Sequence, residues 1–256
     1  MLPTRYGGEQ AGIRLMSRQP AQTWLERTLT VLETLLLPPV CGGCGRRGAW
    51  FCAECAARVR RDTVPRCARC DAPAAEPVAR CRRCATWPPE LLMVRAPFLF
   101  EGPVRAALHR VKYRGEHARG RDLGQRLAAF VRDDLAEVMR PVDLVVPIPL
   151  HPSRLRQRGF NQSELLAAGV VELLGLPMVK QLARGRPTPP QVGLGREARQ
   201  RNIDGAFGWF GPSLDGQLVL VVDDVVTTGA TLGEAARALS MAGAAGTIGL
   251  ALAREP

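Results

Sequence analysis

Residues 218–232 read LVLVVDDVVTTGATL and carry the densest chemistry in the chain. The run 218–222 is apolar and β-branched, too short for a helix, and predicts a strand buried on both faces. Asp223 and Asp224 follow, and then Thr227, Thr228, Gly229, Ala230 and Thr231 make a small, hydroxyl-rich turn before a helical pattern over 234–241. Strand, turn and helix in that order put the turn at a strand's carboxyl end and a helix's amino end. There, free backbone N–H groups and the helix dipole favour a phosphate. Gly229 lets the backbone come close to the anion, and the threonine hydroxyls can donate to its oxygens. No lysine stands in the turn, which argues against the Gly-Lys-Ser/Thr ending of a nucleoside-triphosphate loop. The paired carboxylates sit where they could accept from two adjacent ribose hydroxyls, so a sugar phosphate fits best. For the two acids alone a solvated strand end would be the simpler reading; the whole succession argues against it.

A second set of reactive side chains lies upstream. All eight cysteines fall in four Cys-x-x-Cys pairs: Cys41 and Cys44, Cys52 and Cys55, Cys67 and Cys70, Cys81 and Cys84. Each pair can present two thiolates from one tight knuckle, and Zn²⁺ takes four such ligands tetrahedrally, so eight sulfurs make two sites. Sequential pairing leaves room for two small ribbons, and interleaved pairing stays open. Disulfides are disfavoured without a secretion signal, and a thioredoxin-type motif would not repeat four times. A tetrathiolate site has no open position for catalysis, so its role is structural. The segment carries ten arginines against four acids, but eight thiolates on two Zn²⁺ remove most of that excess, a weak basis for a nucleic-acid finger.

The formal net charge is +11, which points to polyanionic partners. Three stretches carry it: +5 over 105–121, +3 over 154–158 and +4 over 184–201. Lys112 projects from the end of a helical pattern over 103–113. Arg154, Arg156 and Arg158 follow a strand ending in Pro147 and Pro149 and predict a rigid turn with a cationic rim for pyrophosphate. His151, between Leu150 and Pro152, reads as structural. Residues 184–202, with Arg196 in their second half, are rich in Gly, Pro and Arg and form a candidate lid over an anionic substrate.

At 256 residues the chain can hold one α/β domain and a small module. Residues 1–20 read as a disordered tail, with Met16 a second candidate start. Residues 21–40 hold an amphipathic helix stopped by Pro38 and Pro39, residues 41–87 the zinc-binding module, and residues 90–256 the α/β domain. No apolar run reaches the roughly 18 residues of a membrane span, and the expected location is cytoplasmic. Strands near 94–100, 142–146, 178–182, 206–210, 218–222 and 247–252 alternate with helices over 103–113, 123–138, 161–174 and 234–241. That alternation predicts a mainly parallel, doubly wound sheet with its ligand over the carboxyl ends of the strands.

The stretch 218–232 resembles the phosphoribosyl pyrophosphate (PRPP) signature of type I phosphoribosyltransferases. Together with the four knuckles, VKYRG, VPIPLHPSRLRQRGFNQSELLA and QVGLGREARQRNIDGAF, it resembles the competence protein F (ComF) family over residues 35–253. The resemblance implies a type I phosphoribosyltransferase fold behind a zinc module. On it, residues 227–231 cradle the 5′-phosphate, Asp223 and Asp224 hold the ribose 2′ and 3′ hydroxyls, and Mg²⁺ accompanies PRPP. Lys112, Arg154, Arg156 and Arg158 would neutralise the departing pyrophosphate, and Arg196 would join the PRPP contacts. Purine-salvage members carry an acid where this chain has Thr227, which argues against transfer to hypoxanthine or guanine. The family further implies a part in natural competence, with imported single-stranded DNA and a competence helicase as partners. Two readings compete with an enzyme: a non-catalytic PRPP sensor that binds nucleic acid or a helicase, and a zinc adaptor with a vestigial pocket. The acceptor base and the oligomeric state are not encoded in any motif.

Overall fold

A computed structural model describes residues 38–59, 64–185 and 205–256. The expected tail, the amphipathic helix, Arg196 and the body of the candidate lid lie outside the described residues. Pro39–Pro256 forms one compact unit.

The unit is organised on a sheet of parallel strands: β1 (Leu91–Arg95), β2 (Phe98–Leu99), β3 (Leu144–Pro147), β6 (Leu218–Val226) and β7 (Gly246–Arg254). The order is β1-β7-β6-β3, with β2 continuing along β7 after Pro97 interrupts the edge. A separate antiparallel pair, β4 (Leu182–Arg184) and β5 (Phe207–Trp209), stands apart from the sheet. Strand β6 runs through both aspartates, four residues beyond the apolar run that marks it in the sequence.

The helices are α1 (Ala53–Arg58), α2 (Gly102–Arg114), α3 (His117–Asp134), α4 (Ala136–Met139), α5 (Pro152–Arg158), α6 (Gln162–Leu174) and α7 (Ala230–Met241). Side chains alternate across a strand, so β6 feeds two cores. Leu220 and Val222 pack with α2, α3 and α6, whereas Val219 and Val221 pack with α7. Gly115, at φ 64, ends α2 in the left-handed conformation and leaves Lys112 in its last turn. Asn161 caps α6 by accepting from the Ser163 N–H at 3.1 Å.

Two departures from the sequence reading bear on function. The stretch with three alternate arginines is not a rim-forming turn but the helix α5, opened by Pro152 and closed by Gly159. The Cys-rich segment is not set apart from the α/β domain either. Cys41, Phe51 and Cys55 belong to the core with α2 and α3, and Cys67, Cys70, Cys84 and Trp87 to the core with α7. The two ribbons thus cover opposite faces of one sheet. Arginines fasten them: Arg119, 1% exposed, donates to the Trp50 carbonyl, and Arg126 donates to that of Phe51. Part of the basic charge counted over 105–121 is therefore spent inside the protein.

Helices α3 and α6 meet backbone to backbone. A Cβ at Gly169 would stand 2.7 Å from the carbonyl carbon and oxygen of Gly124. Gly169→Ala should therefore force the helices apart and lower stability by about 1–3 kcal/mol, read as a drop in denaturation midpoint.

Candidate functional site

The carboxyl ends of β3 and β6 open into a cleft of about 930 Å³, where ligands of open α/β sheets bind. Of the residues singled out by sequence, Lys112, Arg154, Arg158, Asp223, Asp224, Thr227 and Thr231 line it. Arg156 does not. On a helix, residues four apart share a face and the one between them turns away, so Arg154 and Arg158 face the cleft while Arg156 is exposed elsewhere. His151 caps α5, with its Nδ1 3.3 Å from the Ser153 N–H and 2.7 Å from the Ser153 hydroxyl.

Both aspartates are only 7% exposed, so each must be paired. Asp223 Oδ1 accepts from the Ser163 hydroxyl at 3.2 Å and from the Asp224 N–H at 2.8 Å. Asp224 forms an ion pair with Lys112. The two acids then diverge. Burial, with the negative Asp224 beside it, pushes the Asp223 carboxyl up to about 8. Burial also acts to raise Asp224, but the Lys112 ammonium outweighs it and holds Asp224 below the usual carboxylate range. The two acids thus differ in their hold on a proton, Asp223 keeping one to higher pH than Asp224.

The turn after β6 could take an anion. Gly229 adopts φ 82 and precedes α7, and the Thr228 hydroxyl accepts from the Ala230 N–H at 3.3 Å. Among the described residues, no protein group accepts from the backbone N–H of Thr228 or Gly229. Arg158 stacks over Tyr113 at 5.7 Å and donates to Gln162 at 2.5 Å, so the cation at the mouth of the cleft is held in place.

Three contributors escaped the sequence reading. Arg184, at the end of β4, is 8% exposed, lines the cleft and stacks over Phe207 at 5.5 Å. It had been counted only as charge in a loop. Ser163, which holds Asp223, sits in RGFNQSE, a stretch that gave no chemical signal of its own. Trp87 marked only a boundary, yet its Nε1 donates to the Thr228 carbonyl at 2.8 Å.

The cysteines resolve into two clusters in sequential pairing: Cys41, Cys44, Cys52 and Cys55, then Cys67, Cys70, Cys81 and Cys84. Within each, the sulfurs lie within 4.8 Å of one another. Cys44–Cys52 at 3.8 Å and Cys67–Cys84 at 3.7 Å match the separation of about 3.8 Å that tetrahedral Zn–S bonds of about 2.3 Å require. Burial works to raise the Cys41 thiol, but backbone N–H groups of Cys52, Cys44 and Gly43 hold it down at about 6, the thiolate a metal needs. Each cluster could hold a metal ion.

Comparison with known proteins follows the same lines. The phosphoribosyl transferase domain profile matches residues 174–254, which span β6, the turn and β7. The DNA utilization protein YhgH of Salmonella typhimurium is 32% identical over 220 residues, covering 82% of this chain and 95% of that protein. The chain belongs to the ComF family. Competence protein F of Haemophilus influenzae is 26% identical over 197 residues, covering 75% of this chain and 85% of its own length. Competence protein ComFC of Bacillus subtilis is 28% identical over 208 residues, covering 77% and 80%. This ComF-family chain thus joins a parallel α/β phosphoribosyltransferase fold to two four-cysteine clusters, and no helix among the described residues is long and apolar enough to cross a membrane.

The split between the acids has a measurable consequence. A carboxyl whose pKa rises on folding binds its proton more tightly in the folded chain, so the folded state loses stability as pH climbs from about 4 towards about 8. Asp223→Asn keeps the shape and removes that slope. Thermal melts should show the variant gaining on the wild type between pH 5 and pH 8.5.

Proposed function

We propose that the cleft binds PRPP and that the protein acts as a phosphoribosyltransferase in handling imported single-stranded DNA. The observation that carries the PRPP assignment is the meeting of an acid pair, an anion-ready turn and five cationic side chains in one cleft. Those cations are Arg105, Lys112, Arg154, Arg158 and Arg184. On this reading the turn residues Thr227, Thr228, Gly229, Ala230 and Thr231 take the 5′-phosphate, and Asp223 and Asp224 take the ribose hydroxyls. Lys112 would leave Asp224 for the pyrophosphate, joined by Arg154 and Arg158. As the bond at C1 breaks, negative charge gathers on the leaving group, and Arg158, held by Tyr113 and Gln162, stands ready to stabilise it. Mg²⁺, bound with PRPP, would supply further charge neutralisation at the diol and pyrophosphate.

Each four-cysteine cluster is assigned one structural Zn²⁺, since four thiolates close the coordination sphere. The relatives' names, DNA utilization and competence, support the biological role. A cytoplasmic location and a helicase partner belong to the same proposal. A second reading, PRPP binding without transfer, is favoured by Thr227, a hydroxyl rather than a carboxylate at the start of the turn.

Metal analysis should find two zinc ions per chain, and Cys81→Ser should leave about one. Calorimetric titration with PRPP and Mg²⁺ should show binding that Asp224→Asn weakens roughly tenfold to a hundredfold, the loss of a charged hydrogen-bond acceptor. Unchanged heats in that variant would remove the assignment. Pyrophosphate release with a panel of bases and oligonucleotides separates transfer from binding alone.

A further inference from the structure

The second cysteine cluster reaches the phosphate turn through one side chain. Trp87 lies three residues past Cys84, the last sulfur of that cluster, and its backbone N–H donates to the Cys84 carbonyl at 3.1 Å. Arg69, from within the cluster's first knuckle, fixes the same segment. It donates to the carbonyls of Cys84 at 3.2 Å and Pro88 at 2.7 Å and stacks over the indole at 5.9 Å. Trp87 is 7% exposed. Its ring lies against Gly229 where a Cβ would otherwise stand, so no other residue type fits there. Pro88 packs in turn against Gly233, one helical turn further along α7.

The indole N–H donates to the Thr228 carbonyl at 2.8 Å. A trans peptide is planar, with its C=O and N–H pointing in opposite directions. Fixing the Thr228 oxygen towards the indole therefore turns the Gly229 N–H away from the indole N–H, where among the described residues no protein group accepts from it. A second tie runs from the sheet. Arg254, at the end of β7 and 1% exposed, donates to the Cys70 carbonyl. Cys70, Trp87, Thr227, Thr228 and Arg254 all wall one cavity of about 180 Å³ between the cluster and the turn.

We propose that Trp87 is a positioning residue for PRPP. By holding the Thr228–Gly229 peptide in one orientation, it makes the second cysteine cluster, with its metal, the support on which the phosphate turn is set. The inference rests on the PRPP reading of the cleft. It predicts that metal loss or thiol oxidation at Cys67, Cys70, Cys81 and Cys84 lowers PRPP affinity although none of these residues lines the large cleft.

Backbone ¹⁵N order parameters at residues 228–231, measured without ligand, test the positioning directly. The proteins compared are the wild type, Trp87→Phe, Cys81→Ser and Gly169→Ala. Trp87→Phe keeps an aromatic ring but has no N–H to donate. The order parameters of its turn should fall from about 0.85 to below about 0.6, and so should those of Cys81→Ser. Gly169→Ala, which loosens a helix contact in the other core, should leave them unchanged. PRPP should bind Trp87→Phe roughly threefold to tenfold more weakly, the worth of one hydrogen bond, whereas Gly169→Ala, which also lowers the melting temperature, should bind it as the wild type does. Equal order parameters in wild type and Trp87→Phe overturn the proposal, as does an equal fall in Gly169→Ala. Should the wild type bind no PRPP, the assignment of the cleft fails, and the order-parameter comparison still decides whether Trp87 sets the turn.

Discussion

Strand β6 is buried on both faces and nonetheless ends in two adjacent aspartates, each 7% exposed. Desolvating two carboxylates side by side is costly unless each finds a partner or takes up a proton. The neighbouring elements are arranged to meet that demand. The last turn of α2 brings Lys112 to Asp224, and the first turn of α6 brings the Ser163 hydroxyl to Asp223. The Gly115 ending of α2 and the Asn161 cap of α6 are the local features that stop those helices where their side chains can reach. The cleft is thus already polarised, with the Asp223 carboxyl pushed up to about 8 by burial and the Lys112 ammonium paired with Asp224.

The cysteine ribbons take the place that further helices would occupy on the two faces of the sheet. On the face of the five-stranded sheet where α7 packs, Leu91 and Val94 share one core with Cys67, Cys70, Cys84 and Trp87 of the second ribbon. Four sulfurs within 4.8 Å of one another could hold a metal ion, which would fix such a short segment more rigidly than its few apolar residues could. The arginines that fasten the ribbons, Arg69, Arg119, Arg126 and Arg254, end on main-chain carbonyls. Fork-shaped donors suit that task because a carbonyl accepts without a countercharge and each ribbon loop has carbonyls to spare. Part of the charge that suggests a nucleic-acid surface therefore goes to the cleft and part to internal fastening.

How far the site was legible depends on whether its residues are neighbours in the chain. The turn residues and the acid pair lie within nine positions, and their chemistry follows from strand, turn and helix in succession. The four knuckles announce eight ligands for the same reason: a tight Cys-x-x-Cys places two sulfurs together whatever the fold. The alternate arginines were misread because an extended turn and a helix put residues two apart on opposite terms. Once Pro152 starts a helix, Arg154 and Arg158 align and Arg156 is lost to the cleft. Arg184 and Trp87 could not be found at all, since what matters in them is a partner far along the chain, Phe207 for the one and Thr228, 141 positions on, for the other.

The sequence by itself therefore determined the kind of chemistry: a parallel α/β sheet, an anion turn at its rim, and two sets of four thiolates. Only the tertiary structure decided which sulfurs share a site, which arginines face the cleft and which face carbonyls, and that burial pushes Asp223 up while Lys112 holds Asp224 down. The reason is the range of the forces involved. Periodicity and turn chemistry act within a few residues and are written in order along the chain, whereas desolvation and charge pairing depend on groups that become neighbours only after folding.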